Sequence, residues 1–454
     1  MGKTILADES IQSYITELLS KGQWQLGLII GHFAQQKDFA VRLICSPEPV
    51  EDEASEEDEE PKEKKIKTPQ KPENMADSDE RWIATHARQV NRMLPGGLDV
   101  LGIFALAPPN MMQSAQTKLR QILYLIHKSL SKGQTLANST TERYLLQICS
   151  TSRKITCRSI DVADQKSAFK PADWKPQSGS EKWIKLKTDI NVDLKINVPV
   201  KQQNQNMLKQ IQQGLVPYCD SICKGIIAIN GEVRDVTEVL DQSASESKRS
   251  KGRDKGQTSQ LIHNIDFYTQ PISKEKNEPE VYDSVCKLVM QGVTHGRAFV
   301  HSKSLVSEAK QAITTDIIRS IHARCELLCE DIEVVEEEGT KKELYDTPVR
   351  VFGKLHGSNL DFCDYKFQDE KLEEVTDRIK ELLDITIDPD DLELDCEQVP
   401  CEEDWSKDKS LDTIDDSSSG DSNKSRFNML TAVGGGIAVV AAGLSYMLFG
   451  DSQT

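Results

Sequence analysis

The sequence predicts an α+β fold in two units, followed by an acidic tether and one membrane-spanning helix. Stretches with helical spacing of apolar residues alternate irregularly with short apolar runs of strand length, and no repeat recurs along the chain. Neither a Gly-x-Gly-x-x-Gly turn nor a phosphate-binding loop is present, which argues against a nucleotide-binding parallel sheet. A run of 21 residues without a charge, Met429–Phe449, follows a strongly acidic stretch. The composition agrees: 37% of the 454 residues are hydrophobic and 28% are charged, so part of the chain is solvated rather than packed.

Residues 9–20 carry Ile11, Tyr14, Ile15, Leu18 and Leu19 on one face and predict a short amphipathic helix. Two apolar runs between Gly27 and Pro47, separated by a polar turn, predict a β-hairpin. Residues 47–80 read as a disordered insertion, because eight of the ten positions from Glu51 to Glu60 are acidic. The basic cluster Lys62–Lys67 beside them reads as part of the same solvated loop. Trp82–Met93 predicts a helix stopped by Pro95-Gly96-Gly97, and Leu98–Leu106 a buried strand. Leu119, Ile122, Leu123, Ile126 and Leu130 stripe a further helix. Leu145–Cys149 and Lys154–Ile160 predict a second hairpin. From Ile190 to Val198 apolar and polar residues alternate strictly, which predicts a strand with one buried face. Gly225–Gly231 reads as a strand ending in a turn and completes a first unit over residues 1–240.

A Ser/Lys-rich linker at 241–257 leads to a second unit over 258–386. Arg297–His301 predicts a strand and Leu305–Leu328 a long helix. Val349–Leu355 and Leu360–Phe367 predict strands, and Leu372, Val375, Ile379, Leu382 and Leu383 stripe a closing helix. Residues 387–428 form the expected tether: from Asp388 to Asp421 fourteen acidic residues face two lysines. As a helix rising about 1.5 Å per residue, Met429–Phe449 would span roughly 30 Å, the depth of a hydrocarbon core. Lys424 and Arg426 precede it and Asp451 follows, which by the positive-inside rule predicts the bulk of the chain in the cytosol. With no basic residue after the span, the endoplasmic reticulum membrane is favoured over the mitochondrial outer membrane. A net charge of −17 excludes general nucleic-acid binding.

The residues that carry chemistry are poorly arranged for it. Eleven cysteines show neither a disulfide nor a zinc rhythm; Cys219 and Cys223, and Cys325 and Cys329, are one helical turn apart. No His-Glu-x-x-His and no His-x-His occurs, and His32, His86 and His301 read as structural histidines. No Gly-x-Ser-x-Gly elbow is present. No metal or cofactor is expected. Trp174, with Asp173 in the loop Pro171–Gly179, is a candidate partner-binding anchor; packing onto its own domain is the other reading. Asp364, Tyr365, Lys366 and Phe367, at a strand end, form a second candidate contact surface.

The order helix, hairpin, helix, Pro-Gly-Gly and LDVLGIFAL resembles the start of the MPN (JAB) fold. Catalytic members hold zinc with a His-x-His-Pro group after the strand glycine. Here Ile103, Phe104, Ala105 and Leu106 follow Gly102 and offer a metal no lone pairs, so the resemblance implies a catalytically dead docking module. A closer resemblance covers the whole chain. His86-Ala87, Met93-Leu94-Pro95-Gly96-Gly97-Leu98, Pro171-Ala172-Asp173-Trp174-Lys175 and Gln177-Ser178-Gly179 carry it in the first unit. Ile229-Asn230-Gly231, Val300-His301-Ser302, Arg324-Cys325-Glu326, Arg350-Val351-Phe352 and Cys363-Asp364-Tyr365-Lys366-Phe367 continue it. By these residues the chain resembles the odorant-response-abnormal-four (Odr-4-like) family, departing from it at Pro176, where an aromatic is expected.

That resemblance implies a non-enzymatic, tail-anchored factor at the endoplasmic reticulum. It would help a subset of G-protein-coupled receptors fold or reach the cell surface, and would hold the protease specific for the ubiquitin-fold modifier at that membrane. Two rival readings stay open. One is a cysteine hydrolase using Cys325 or Cys363 with a distant histidine. The other is a structural membrane-organising protein that self-associates through its anchor, where Ala432/Gly436, Gly434/Ala438 and Ala438/Ala442 place small residues at four-residue spacing.

Overall fold

A computed structural model describes residues 3–35, 37–47, 71–131, 140–177, 182–241, 261–269, 283–337, 344–355, 357–397 and 437–442. It opens with strand β1 (Thr4–Ala7) and helix α1 (Glu9–Ser20), which Asp8 caps by accepting the Ser10 amide at 2.9 Å. The expected hairpin is β2 (Gln25–His32) against β3 (Lys37–Cys45), antiparallel with a register shift after Ile30. After α2 (Glu80–Arg92), β4 (Asp99–Ala107) pairs antiparallel to β2. Helices α3 (Pro109–Ser114) and α4 (Gln116–Ser131) return the chain to β5 (Glu142–Cys149), parallel to β4. Strands β6 (Ile155–Asp161) and β7 (Lys170–Pro176) follow, and β7 pairs with β1 to close a barrel.

The near-continuous apolar run in β4 has a direct cause: both of its faces are buried. Ile103 and Ala105 pack with Leu28, Ile30 and the apolar stripes of α2 and α4. Their neighbours Phe104 and Leu106 pack with Ile29, Tyr144 and the buried face of α1.

A second sheet is built on two long strands, β8 (Trp183–Pro199) and β11 (Ser284–His301). They run antiparallel from Trp183 opposite His301 to Val198 opposite Cys286. Strand β9 (Ile226–Ile229) pairs with β10 (Ile262–Tyr268), which continues parallel to β8. Helices α5 (Met207–Lys224) and α6 (Val306–Glu337) supply Leu215, Ile222, Ile313, Ile317 and Ile321 to a core shared with Val192, Leu194 and Ile196 of β8. The C-terminal pieces are the short β12 (Leu344–Asp346), the hairpin β13 (Val349–Lys354) and β14 (Asp361–Lys366), and α7 (Leu372–Leu383).

Packing crosses the boundaries read from sequence. The second sheet joins β8 and β9, before residue 240, to β10 and β11, after it. Val351, Phe362, Ile379 and Leu383 of the C-terminal hairpin and helix pack into the barrel-side core rather than against the second sheet. The first residues assigned to the tether are a packed strap: Ile387 and Leu392 are buried, and Glu393 exchanges backbone hydrogen bonds with Phe352 at 2.8 and 3.1 Å. The insertion also ends early, since Met75 is fully buried in a 3-10 turn. The linker 241–257 lies, apart from Asp241, outside the described residues.

The apolar segment departs from its expectation. Ile437–Ala442, inside the expected helix Met429–Phe449, form strand β15, antiparallel to both β11 and β12. The rest of that helix lies outside the described residues, among which no helix is long and apolar enough to cross a membrane. The physical reason is in the residues. Gly434, Gly435 and Gly436 precede the strand and each disfavours a helix in water by roughly 1 kcal/mol relative to Ala. Ile437, Val439 and Val440 are β-branched, and a six-residue apolar run suits a strand as well as a helix.

Candidate functional site

Among the described residues a cluster of buried charge lies where barrel, second sheet and C-terminal hairpin meet, and it begins at Pro95-Gly96-Gly97. That turn not only ends a helix; it docks on the second unit. The Gly96 amide donates to Asp316 Oδ1 at 2.8 Å, and the Gly96 carbonyl accepts the Phe299 amide at 2.8 Å. A Cβ at Gly96 would fall 2.1 Å from the Ala312 carbonyl oxygen of α6, so only glycine allows this approach.

Asp316, fully buried in α6, is the centre of the junction. Arg350 of β13 donates to its two oxygens from Nη1 at 2.7 Å and Nη2 at 2.8 Å, and the Arg297 amide adds a bond of 2.7 Å. Burial works against the Arg350 charge, but the Asp316 carboxylate outweighs it and holds the guanidinium well above its ordinary range. One turn pair further along α6, Arg324 Nη2 lies 2.6 Å from both oxygens of Glu397 on the strap. Glu397 also accepts the His295 amide at 2.9 Å and the Arg350 amide at 2.8 Å. Beside them Arg297 donates to Asp361 at 2.8 Å and to Glu393 at 2.9 Å, with its guanidinium 3.7 Å from the centroid of Phe352. Lys185 of β8 reaches Asp361 at 2.7 Å. Burial raises Glu393, yet hydrogen bonding and charge from Arg297 prevail and hold its carboxyl at about 2.

These charged groups are held to one another. Each carboxylate is matched to a guanidinium or ammonium, and Glu393 also accepts at 3.2 Å from the Cys396 thiol, which burial pushes up to about 11. A cavity of about 530 Å³ opens beside Arg297, lined by Phe352, Lys354, Ile387 and the paired Asp361 and Glu393. Among the described residues no three His, Cys, Asp or Glu side chains gather as a metal site. Ile103, Phe104 and Ala105, which follow Gly102 on β4, are fully buried in apolar cores.

Cys325 and Cys363 are buried. Burial raises the Cys325 thiol and pushes Cys363 up to about 11, the latter against the opposing Arg350 charge 3.1 Å away. Cys219, buried in the second core, lies 3.9 Å from Nε2 of the half-buried His322, whose pKa desolvation lowers. The three histidines read as structural are buried. His86 Nε2 donates to the Leu382 carbonyl at 2.9 Å and Nδ1 accepts from Ser46 at 3.0 Å, joining α2 to α7 and β3. His32 donates to the Gly97 carbonyl at 2.6 Å, and His301 stacks on Phe39 at 4.7 Å.

Trp174 and Asp173 sit on β7, not in a loop. Trp174 lies opposite Ile5 of β1, half-buried against the α1 core, and Asp173 is exposed beside Lys175. The other candidates sit on β14. Asp364 is buried and paired to Arg378 at 2.9 Å; burial raises it to about 6 against that partner. Tyr365 is buried with Arg324 5.5 Å from its ring. Lys366 and Phe367 are half-buried at the strand end. The structure thus places the two candidate sets on different elements and leaves Asp173, Trp174, Lys366 and Phe367 with exposed surface. Met429 and Phe449 lie outside the described residues. Sequence reasoning missed Asp316, Arg297 and Glu397 altogether.

Comparison with known proteins places the chain in a family. The model for the family ODR4-like, Odorant response abnormal 4-like, matches residues 27–394. A human protein named Protein odr-4 homolog is 33% identical over 473 residues, covering 99% of this chain and 100% of its own. Odorant response abnormal protein 4 of Caenorhabditis elegans is 23% identical over 354 residues, covering 74% of this chain and 68% of its own. Among solved structures, UfSP from C. elegans aligns with a TM-score of 0.43 and 8% identity, covering 85% of this chain and 57% of that one. This chain belongs to the ODR4-like family.

Proposed function

We propose that the protein is a non-enzymatic adaptor, tethered at the endoplasmic reticulum membrane through 429–449, whose folded body is a binding surface. The observation that carries this reading is the junction itself. Asp316, Asp361 and Glu397 are buried and paired to Arg350, Arg297 and Arg324, joining barrel, sheet and strap, so these charged groups have a structural task. The barrel then serves as a docking module without metal. Its partner is the ubiquitin-fold-modifier-specific protease, held at the membrane, and its clients are a subset of G-protein-coupled receptors. The cysteine hydrolase reading is disfavoured because the thiols it needs, Cys325 and Cys363, are buried and held protonated.

The test is affinity purification from detergent-solubilised microsomes, comparing the full chain with one ending at Ser425. The protease is expected with both baits, and at the membrane only with the full chain. Recovery of membrane proteins alone, and only through the apolar segment, would replace the adaptor with a structural role in the bilayer.

A further inference from the structure

Strand β15 fills a slot. It lies between β11 and β12, with Ile437–Ala442 against Gly292–Lys287 on one side and Ala438–Val440 against Asp346–Leu344 on the other. Among the described residues β12 pairs with no other strand. On the body side of the slot Leu288, Met290 and Tyr345 are buried in the second core. The same six residues belong to the uncharged run 429–449, long enough to cross a hydrocarbon core as a helix. The two arrangements exclude each other. In a bilayer the backbone groups of 437–442 must bond within their own helix, and each is then lost to β11 and β12.

We propose that the edge of β11 from Lys287 to Gly292, together with β12, is the docking site of this chain's own apolar segment whenever no bilayer holds it. This rests on the membrane reading of 429–449 and deepens it. Docked, the strand bonds along both edges, so an apolar segment made in the cytosol is kept from pairing with other chains. Chain length permits both positions: thirty-nine residues separate Glu397, fixed by Arg324, from Ile437, a reach of roughly 130 Å when extended. Insertion uncovers a strand-pairing edge on the body, and does so only at the membrane.

Hydrogen exchange of the full chain, free and reconstituted into phosphatidylcholine vesicles, reads the exchange of positions, with vesicle flotation reporting insertion. The amides of 287–292 and 344–346 that point toward β15 are expected to be protected in the free chain. They should exchange at least ten-fold faster in the floated chain, while 297–301 stay unchanged. The chain ending at Ser425 should show the fast rates without vesicles, and a peptide spanning 435–444 should restore protection. A floated chain with unchanged protection would overturn the docking and leave the membrane reading standing. So would protection that survives in the truncated chain. A chain that never floats would overturn the membrane reading, and the exchange with it.

Discussion

Asp316 accepts hydrogen bonds from Gly96, Arg297 and Arg350, so its charge is matched on every side. Asp316→Asn keeps the shape, removes the charge and leaves the Arg350 guanidinium buried without a counter-ion. Breaking a buried pair from one side costs about 3–5 kcal/mol, and urea unfolding should show a loss of that size. A loss under about 1 kcal/mol would mean that water reaches the junction. His86 gives a pH signature. Burial lowers it from 6.5 to about 4, so its contribution is full above 6.5 and is lost as pH falls toward 4. By linkage that is roughly 3 kcal/mol. Asp364 acts with the opposite sign: raised to about 6, it favours the folded state more as pH falls from 6 toward 3.8. The difference between wild type and His86→Gln isolates the histidine, and the variant should lose less stability between pH 6.5 and 4. Equal slopes would exclude His86 as the source. The sequence marks His86 as a structural histidine and Asp364 as a candidate contact residue, but gives Asp316 no role. Asp316 and Arg324 lie on one long helix, and their partners come from segments 34 and 73 residues away, which one sequence does not display.

At the scale of elements, the strap 385–397 depends on Glu397, which ties it to α6, β11 and β13. Glu397→Gln keeps length but weakens two charge-assisted bonds and misplaces an acceptor. Amides of the strap should exchange faster in the variant, while those of α4 hold their protection. Uniform acceleration across the body would mean that the strap is no separate latch. The helices α1, α2, α4 and α7 and the hairpin β2–β3 were legible because each pairs a strong apolar period with clear end signals. Strand β11 was legible only at Arg297–His301, since Lys287, Gln291, Thr294 and His295 interrupt its apolar pattern upstream. Helix α5 was missed because Gly214 and Pro217 lie within it. Pro171 and Pro176 likewise made β7 read as a loop, although it closes the barrel beside β1.

For the whole molecule, the class was legible and the partition was not. An α+β assignment needs only the order of periodic segments, whereas the division into units depends on long-range pairing that one sequence does not display. The acidic balance and the apolar run were plain, but whether that run packs or spans depends on the surrounding solvent. The central claim is that the body acts by binding and holds no reactive centre. Time-resolved labelling of the folded full chain with iodoacetamide at pH 7, mapped by mass spectrometry, tests it most directly. Cys149, lowered by hydrogen bonds from Ser152, should label first, and Cys325 and Cys363 only when the body unfolds. Rapid labelling of Cys325 or Cys363 in the folded chain would contradict the account and return a cysteine enzyme to first place.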